Sequence, residues 1–301
     1  MTTAAPSSPT DLFEQERPRL VGLAYRMLGT LADAEDVAQD TWLRWRRLRP
    51  GEVDRPEAWL TTVATRIALD HLRASTRRRE TYVGPWLPEP LVSETRAGAG
   101  AVGPAEAAEL ADSLRLGFLA VLDQLKPVER AVFLLADVFA VPYADIARSV
   151  GRSEAACRQI ASRARLRVRR PSGGPHSAAD RRLVEELLVA VGTGDIDGVL
   201  ARLAPDAVCV SDGGAAVRAA RRPVVGAGRV ARLLVNLTGR VAGRMTARPV
   251  TVNGDAGIVV SIDGRIDLVS AFEVAGGRIV SIHMIRNPDK LARVESPARL
   301  V

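Results

Sequence analysis

The chain has 301 residues, 47% of them hydrophobic and 26% charged, with a net charge of +7. That is ordinary soluble, globular composition with room for two or three domains, and its basic balance favours a polyanionic partner. No apolar run approaches a membrane span, and the two cysteines, Cys157 and Cys209, match no metal-ligand spacing.

Reduced thiols, a cytoplasmic home and no membrane partner are the expectations that follow. The opening MTTAAPSSPT lacks the basic-then-apolar order of a signal peptide and reads as a frayed tail. Charge is unevenly distributed. Asp11 to Asp40 holds seven acids against three arginines, whereas Val141 to Arg170 holds eight arginines against two acids. One end repels a polyanion and a mid-chain segment attracts it, as a chain touching both a protein partner and a nucleic acid requires.

In chain order, Leu20, Leu23, Ala24, Met27 and Leu28 recur at helical spacing until Gly29-Thr30 interrupts them. Asp33, Glu35 and Asp36 place acids in the first turn of a second helix, which carries Trp42 and Trp45. A third helix is predicted from Pro56 through Leu60, Val63, Ile67 and Leu72 to the basic run Arg77 to Arg79. The following stretch is rich in Pro and Gly and reads as a linker, in which Trp86 and Leu87 call for packing.

A second helical unit follows. Its apolar stripe runs through Leu116, Leu119, Leu122 and Leu125, and Pro127 opens the next helix. Tyr143 to Val150 and a helix restarting at Ser153 flank Gly151-Arg152, the size and composition of a helix-turn-helix. Cys157, Ile160, Ala161 and Ala164 share one face of the last helix. Arg158 and Gln159 offer donors to base edges, and Arg163, Arg165 and Arg167 suit phosphates.

Beyond Pro171 the pattern changes. Helical periodicity through Val184, Leu187, Leu188 and Val191, and again around Val199 and Leu203, precedes β-rich runs from Val208 to Ile285. Asn253-Gly254, Asp263-Gly264 and Gly276-Gly277 are hairpin turn pairs, so a mostly antiparallel sheet is predicted.

Three segments in order now carry a resemblance. DAEDVAQDTWLRWRR (Asp33 to Arg47), AWLTTVATRIALDHLRASTRRRE (Ala58 to Glu80) and the run from Leu125 to Arg170 resemble bacterial RNA polymerase sigma factors of the extracytoplasmic-function class. The region after His176 resembles a SnoaL-like domain, which a recognised subgroup of that class carries as a fusion. Its linker element Trp86 to Pro90 and terminal element Asn287 to Leu291 are intact. Its aspartate-glycine-glycine segment, Asp212 to Gly214, continues as Ala215-Ala216 where relatives carry glycine and lysine.

The resemblance implies a multidomain fold: two all-α helical sigma domains, the second with a helix-turn-helix, and a C-terminal α+β SnoaL-like/NTF2-like cone. The boundaries expected are 1–85 for the first domain, 86–105 for the linker, 106–171 for the second domain, 172–178 for a short linker and 179–301 for the third. It implies core RNA polymerase as a partner through Asp36, Gln39, Asp40 and Trp42, and promoter DNA as another. Thr62, Arg66, Asp70, His71, Arg73, Arg77 and Arg78 would meet the −10 element, where capture of an unstacked base helps melt the duplex. Arg152, Ala155, Arg158, Gln159, Ser162, Arg163 and Arg165 would meet the −35 element.

Regulation in cis falls, on the same resemblance, to Trp86, Leu87, Pro88, Asp212, Gly213, Gly214, Asn287, Pro288, Asp289, Lys290 and Leu291. The tail docks on the linker or on the first domain. A small ligand in the cone is compatible with this reading, and no cofactor or metal is expected. Asp212, Asp267 and His283 are the polar candidates for chemistry in the third domain, but scattered as they are they make no catalytic constellation, and no enzyme activity is expected. The competing reading is a one-component DNA-binding regulator with a small-molecule-sensing domain, which the acidic, tryptophan-bearing helix argues against.

Overall fold

The computed structural model describes residues 8–49, 51–79, 82–93, 113–168 and 177–294, with the side chains of 76–79 left out. The described chain forms two compact units. One combines the N-terminal helices, up to Arg79, with residues 121–168; the other combines 82–93, 113–120 and 177–294.

The first unit opens with α1 (Pro9–Leu28), α2 (Leu31–Trp45) and α3 (Pro56–Arg79). Gly29 ends α1 in the left-handed region and Thr30 caps α2 by accepting from the Asp33 amide, so the Gly29-Thr30 interruption is a stop followed by a start. The predicted stripe of α1 is fully inside: Leu20, Leu23, Ala24, Met27 and Leu28 are all buried. After α4 (Leu116–Leu122), which lies at the boundary between the units, come α5 (Pro127–Phe133), a π-helical turn at Leu134–Val138, α6 (Tyr143–Val150) and α7 (Glu154–Arg167). Gly151 makes the turn between α6 and α7 at φ +66°, a conformation that costs a residue with a Cβ. Ser153 then caps α7, accepting from the Ala156 amide at 3.2 Å, as its position predicts.

In the second unit, β1 (Val92–Ser93) precedes α4, and α8 (Ala178–Thr193), α9 (Ile196–Arg202), β2 (Leu203–Asp212), β3 (Val224–Val225) and α10 (Ala227–Gly239) lead into β4 (Met245–Val252). Strands β5 (Asp255–Ile262), β6 (Arg265–Ala275) and β7 (Arg278–Ile285) follow, then a last turn of helix, α11 (Pro288–Leu291). All three predicted hairpin pairs sit at turns with both residues at positive φ, the geometry that matches strand twist. Leu203 starts a strand rather than continuing a helix, and α10 escaped the sequence reading.

The expectation of a closed cone is corrected here. The seven strands form one open sheet in the order β1-β4-β5-β6-β7-β2-β3, and the edge strands β1 and β3 do not pair with each other. All pairings are antiparallel except β2 with β7. Closure is unnecessary because both faces are covered by other means. Helices α8 to α10 bury the face bearing Ile258, Phe272, Ile282 and Met284. On the opposite face Val259, Val269, Ala271 and Ile285 pack with Leu87 from the linker, Leu116 from α4, and Leu291 and Val294 from the tail.

Candidate nucleic-acid interface and linker clasp

On α2, Asp36, Gln39 and Asp40 are exposed on one side. Trp42 is half-buried with its ring 5.0 Å from Phe13, while Trp45 is core, donating its indole N–H to the Pro9 carbonyl at 2.8 Å. The acidic surface is therefore presented by a helix that Trp45 anchors from behind.

On α3, Arg66, Asp70 and Arg73 are exposed, Thr62 and His71 are half-buried, and Asp70 pairs with Arg73 at 3.0 Å. Thr65 belongs to the core and donates to the Thr61 carbonyl at 2.7 Å. The side chains of Arg77 and Arg78 lie outside the described residues.

In this structure α6 covers part of that surface. Ser149 Oγ lies 3.1 Å from Thr62 Oγ1, and Arg66 donates to the Arg148 carbonyl at 2.6 Å. Arg55 reaches the buried Asp145 with both terminal nitrogens, at 3.0 and 3.3 Å, and Arg148 pairs with the same carboxylate. Arg130, fully buried, donates to the Arg26 carbonyl at 3.1 Å and pairs with Asp123 at 3.2 Å. Burial also pushes the Arg26 guanidinium down to about 10.

On α7 every predicted reader is exposed: Arg152 in the preceding turn, then Ala155, Arg158, Gln159, Ser162, Arg163 and Arg165. Cys157, Ala161 and Ala164 form the opposite, buried face. Some of the arginines are held in place. Arg158 pairs with Glu154 at 2.8 Å and lies over the Tyr143 ring, and Arg165 donates to Asp137 at 2.7 Å. Arg163 donates to the Gln159 carbonyl of its own helix at 3.4 Å.

The second unit brings together the three segments assigned to regulation. Asp212, fully buried at the end of β2, is their hub. Its Oδ1 accepts from the Tyr82 hydroxyl at 2.5 Å and the Gly214 amide at 3.0 Å. Its Oδ2 accepts from the Leu87 amide at 2.8 Å and from Lys290 Nζ at 2.6 Å. Lys290 also donates to the Leu87 carbonyl, and its ammonium stands 4.2 Å from the centre of the Trp86 ring. Asn287 caps α11 through the Asp289 amide and donates to the Tyr82 hydroxyl at 2.9 Å. The tail thus docks on the linker, one of the two alternatives the sequence left open. Burial and the Asp212 carboxylate both push the Tyr82 phenol up, so it stays a donor. A Cβ on Gly213 would stand 2.2 Å from the Val217 carbonyl and one on Gly214 2.8 Å from Asn287, so this turn closes only with glycines. Leu87, Pro88 and Leu291 are buried, while Pro288 and Asp289 are exposed.

Sequence reasoning missed a second anchor. Asn253, in the first predicted hairpin turn, accepts from the Leu91 amide at 2.8 Å and donates to the Leu114 carbonyl at 2.9 Å. It thereby ties Leu91 to Leu114. Beside it Arg115 and Asp255 form a buried pair at 3.3 Å, and β1 joins the sheet edge through Val92 and Ser93. An Asn-Gly pair signals its turn but not the use of its side chain. Tyr82 carried no signal either.

Asp212, Asp267 and His283 are dispersed. Asp267 pairs with Arg286, and His283 is buried on the sheet face away from α8 to α10, where an added Cβ on Gly117 would meet it and Glu273. Among the described residues no group of His, Cys, Asp and Glu is arranged to hold a metal, and no helix is long and apolar enough to cross a membrane.

Residues 12–78 match the family model Sigma-70 region 2, and residues 115–168 match Sigma-70, region 4. These two modules together define a sigma-type transcription factor. The chain is 40% identical to the ECF RNA polymerase sigma factor SigJ of Mycobacterium tuberculosis, over 92% of this chain and 91% of that one. It is 32% identical to the probable ECF RNA polymerase sigma factor SigI of the same species, over 91% and 92%. The crystal structure of M. tuberculosis SigJ superposes with a TM-score of 0.74 at 36% identity, covering 94% of this chain and 98% of the other. The chain belongs to the extracytoplasmic-function sigma factors of RNA polymerase.

Proposed function

We propose that this sigma factor, which binds core RNA polymerase and directs initiation at promoter elements, is controlled in cis by the clasp at Asp212. The single observation behind this reading is that the chain joining the two helical modules is held by the C-terminal domain, at Leu87 by Asp212 and Lys290 and at Leu91 by Asn253. A linker fixed at these points is not free to extend between two separated binding surfaces. Releasing it is the step that regulation would act on.

Within the first unit, the family resemblance supplies the roles, and exposure and charge support them. Asp36, Gln39, Asp40 and Trp42 present the polymerase-facing surface. Thr62, Arg66, Asp70, His71 and Arg73 line the −10 surface, and α7 reads the −35 element with Arg158 and Gln159 against base edges. The contacts of Thr62 with Ser149 and of Arg66 with the Arg148 carbonyl compete with DNA, so promoter engagement requires α6 to leave α3. The C-terminal domain acts as a regulator without catalysis, and a small molecule in it would supply a signal.

The test is run-off transcription with core polymerase, comparing the full chain with one ending near Pro171 and one ending after Ile285. Both truncations should alter promoter-specific output with the helical modules still folded. Unchanged output from both would remove regulation in cis. Failure of the full chain to associate with core polymerase would remove the polymerase-dependent reading and favour a free-standing regulator.

A further inference from the structure

A cavity of about 310 Å³ lies on the helix-covered face of the sheet, between α8, α10 and strands β4 to β7. Its walls are apolar, with Val191, Leu234, Phe272 and Met284 among them. The volume stands at the lower end of the ~300–1,000 Å³ typical of small-molecule sites. Left empty, a space this large would deprive every lining side chain of partners on one side.

Two polar features stand out in the lining. Ser270 lies at the centre of the sheet, paired in register with Ile258 on β5 and Met284 on β7, both of which also line the cavity. It is 2% exposed, and its hydroxyl has no hydrogen-bond partner among the described residues. Buried hydroxyls are ordinarily satisfied, so this one is available to an occupant. The other feature is an ion pair. Arg286 spends its guanidinium on Asp267, at 2.9 to 3.1 Å, and on the Arg218 carbonyl at 2.9 Å. The pair is self-neutralised. An entering carboxylate would find this arginine occupied and an aspartate beside it, while the other lining arginine, Arg240, is exposed and already solvated.

We propose that the cavity binds a neutral, predominantly apolar small molecule carrying one hydrogen-bonding oxygen, which is directed at Ser270. Medium-chain ketones and alcohols have this chemistry. The assignment gives a ligand class to the sensing role in the proposed function and rests on that role, though not on the clasp.

The experiment uses the full chain and the neutral fluorescent probe N-phenyl-1-naphthylamine, with octan-2-one and octanoate as competitors. Saturable fluorescence enhancement is expected, reversed by octan-2-one at lower concentration than by octanoate. Val191→Phe and Leu234→Phe, which fill the cavity from two different helices, should each weaken the probe about tenfold or more, with folding checked by circular dichroism. Ser270→Ala should keep the probe but weaken octan-2-one about fivefold, the worth of one hydrogen bond. The proposal is overturned by absence of saturable binding, by equal binding in a folded cavity-filled variant, by preference for octanoate, or by octan-2-one binding unchanged in Ser270→Ala. Run-off transcription on the same preparation separates the readings. Promoter-specific output without probe binding removes the ligand alone, and probe binding without output removes the sigma-factor role alone.

Discussion

Lys290 Nζ stands 2.6 Å from Asp212 Oδ2, with the two side chains 7% and 0% exposed. The pair closes the tail of the chain over the linker, because Leu87 contributes both its amide and its carbonyl to the same cluster. Two charges withdrawn from water are tolerable only while each satisfies the other.

Removing one partner should therefore cost more than removing both. Lys290→Met is expected to destabilise the second unit by about 3–5 kcal/mol, and Asp212→Asn combined with Lys290→Met by distinctly less. Urea unfolding followed by Trp86 fluorescence reports the difference. Equal losses in the single and double variants would show that the pair does not hold the clasp.

The contact of α6 with α3 should be weaker. Arg55 is 62% exposed although Asp145 is 5% exposed, so solvent screens the pair. Asp145→Ala is expected to speed hydrogen exchange around Thr62 and to raise affinity for a single-stranded −10 oligonucleotide about two- to fivefold. Slower exchange or weaker binding would argue that α6 supports the DNA surface instead of covering it.

Base reading and phosphate contact on α7 separate by salt dependence. Arg158→Ala should cost about 1–3 kcal/mol on the preferred −35 sequence and relax selectivity at one position. Arg163→Ala should weaken all sequences alike and lower the slope of log K against log salt by about one. Measurement uses holoenzyme on matched duplexes. Identical behaviour of the two variants would erase the assignment of roles.

Acid stability should depend on His283, which burial pushes down from 6.5 to about 4. The folded state keeps the ring neutral while the unfolded chain protonates it, so the unfolded chain binds more protons between those values. Stability is then full above 6.5 and falls as pH drops toward 4. Ser281 lies 3.4 Å from the ring, and Glu273 shares the space around Gly117, with Arg115 acting on it. Burial pushes Glu273 up, which works in the opposite sense just above its ordinary value, since the folded state then holds the proton. His283→Gln should flatten the decline of Tm with falling pH, and Glu273→Gln should steepen it. Parallel curves for all three proteins would exclude both groups.

The helical modules were legible because their signals are local. The spacing of Leu20 to Leu28, the stop at Gly29, the cap at Ser153 and the turn at Gly151 each involve residues within a few positions of one another. The three hairpins were legible for the same reason. So was the exposed row on α7, since a helix with Cys157, Ala161 and Ala164 inward must turn its arginines outward.

Sequence by itself determined the family, the helical modules and the residue types on their outer faces, because periodicity and motif order are properties of neighbouring residues. Tertiary structure alone decided that the sheet stays open, that Asn253 holds Leu91 and Leu114, and that Asp212 gathers Tyr82, Leu87 and Lys290. Those partners are separated by up to 162 positions, and which polar groups lose their water together depends on how strands and linker pack. No local pattern encodes that choice.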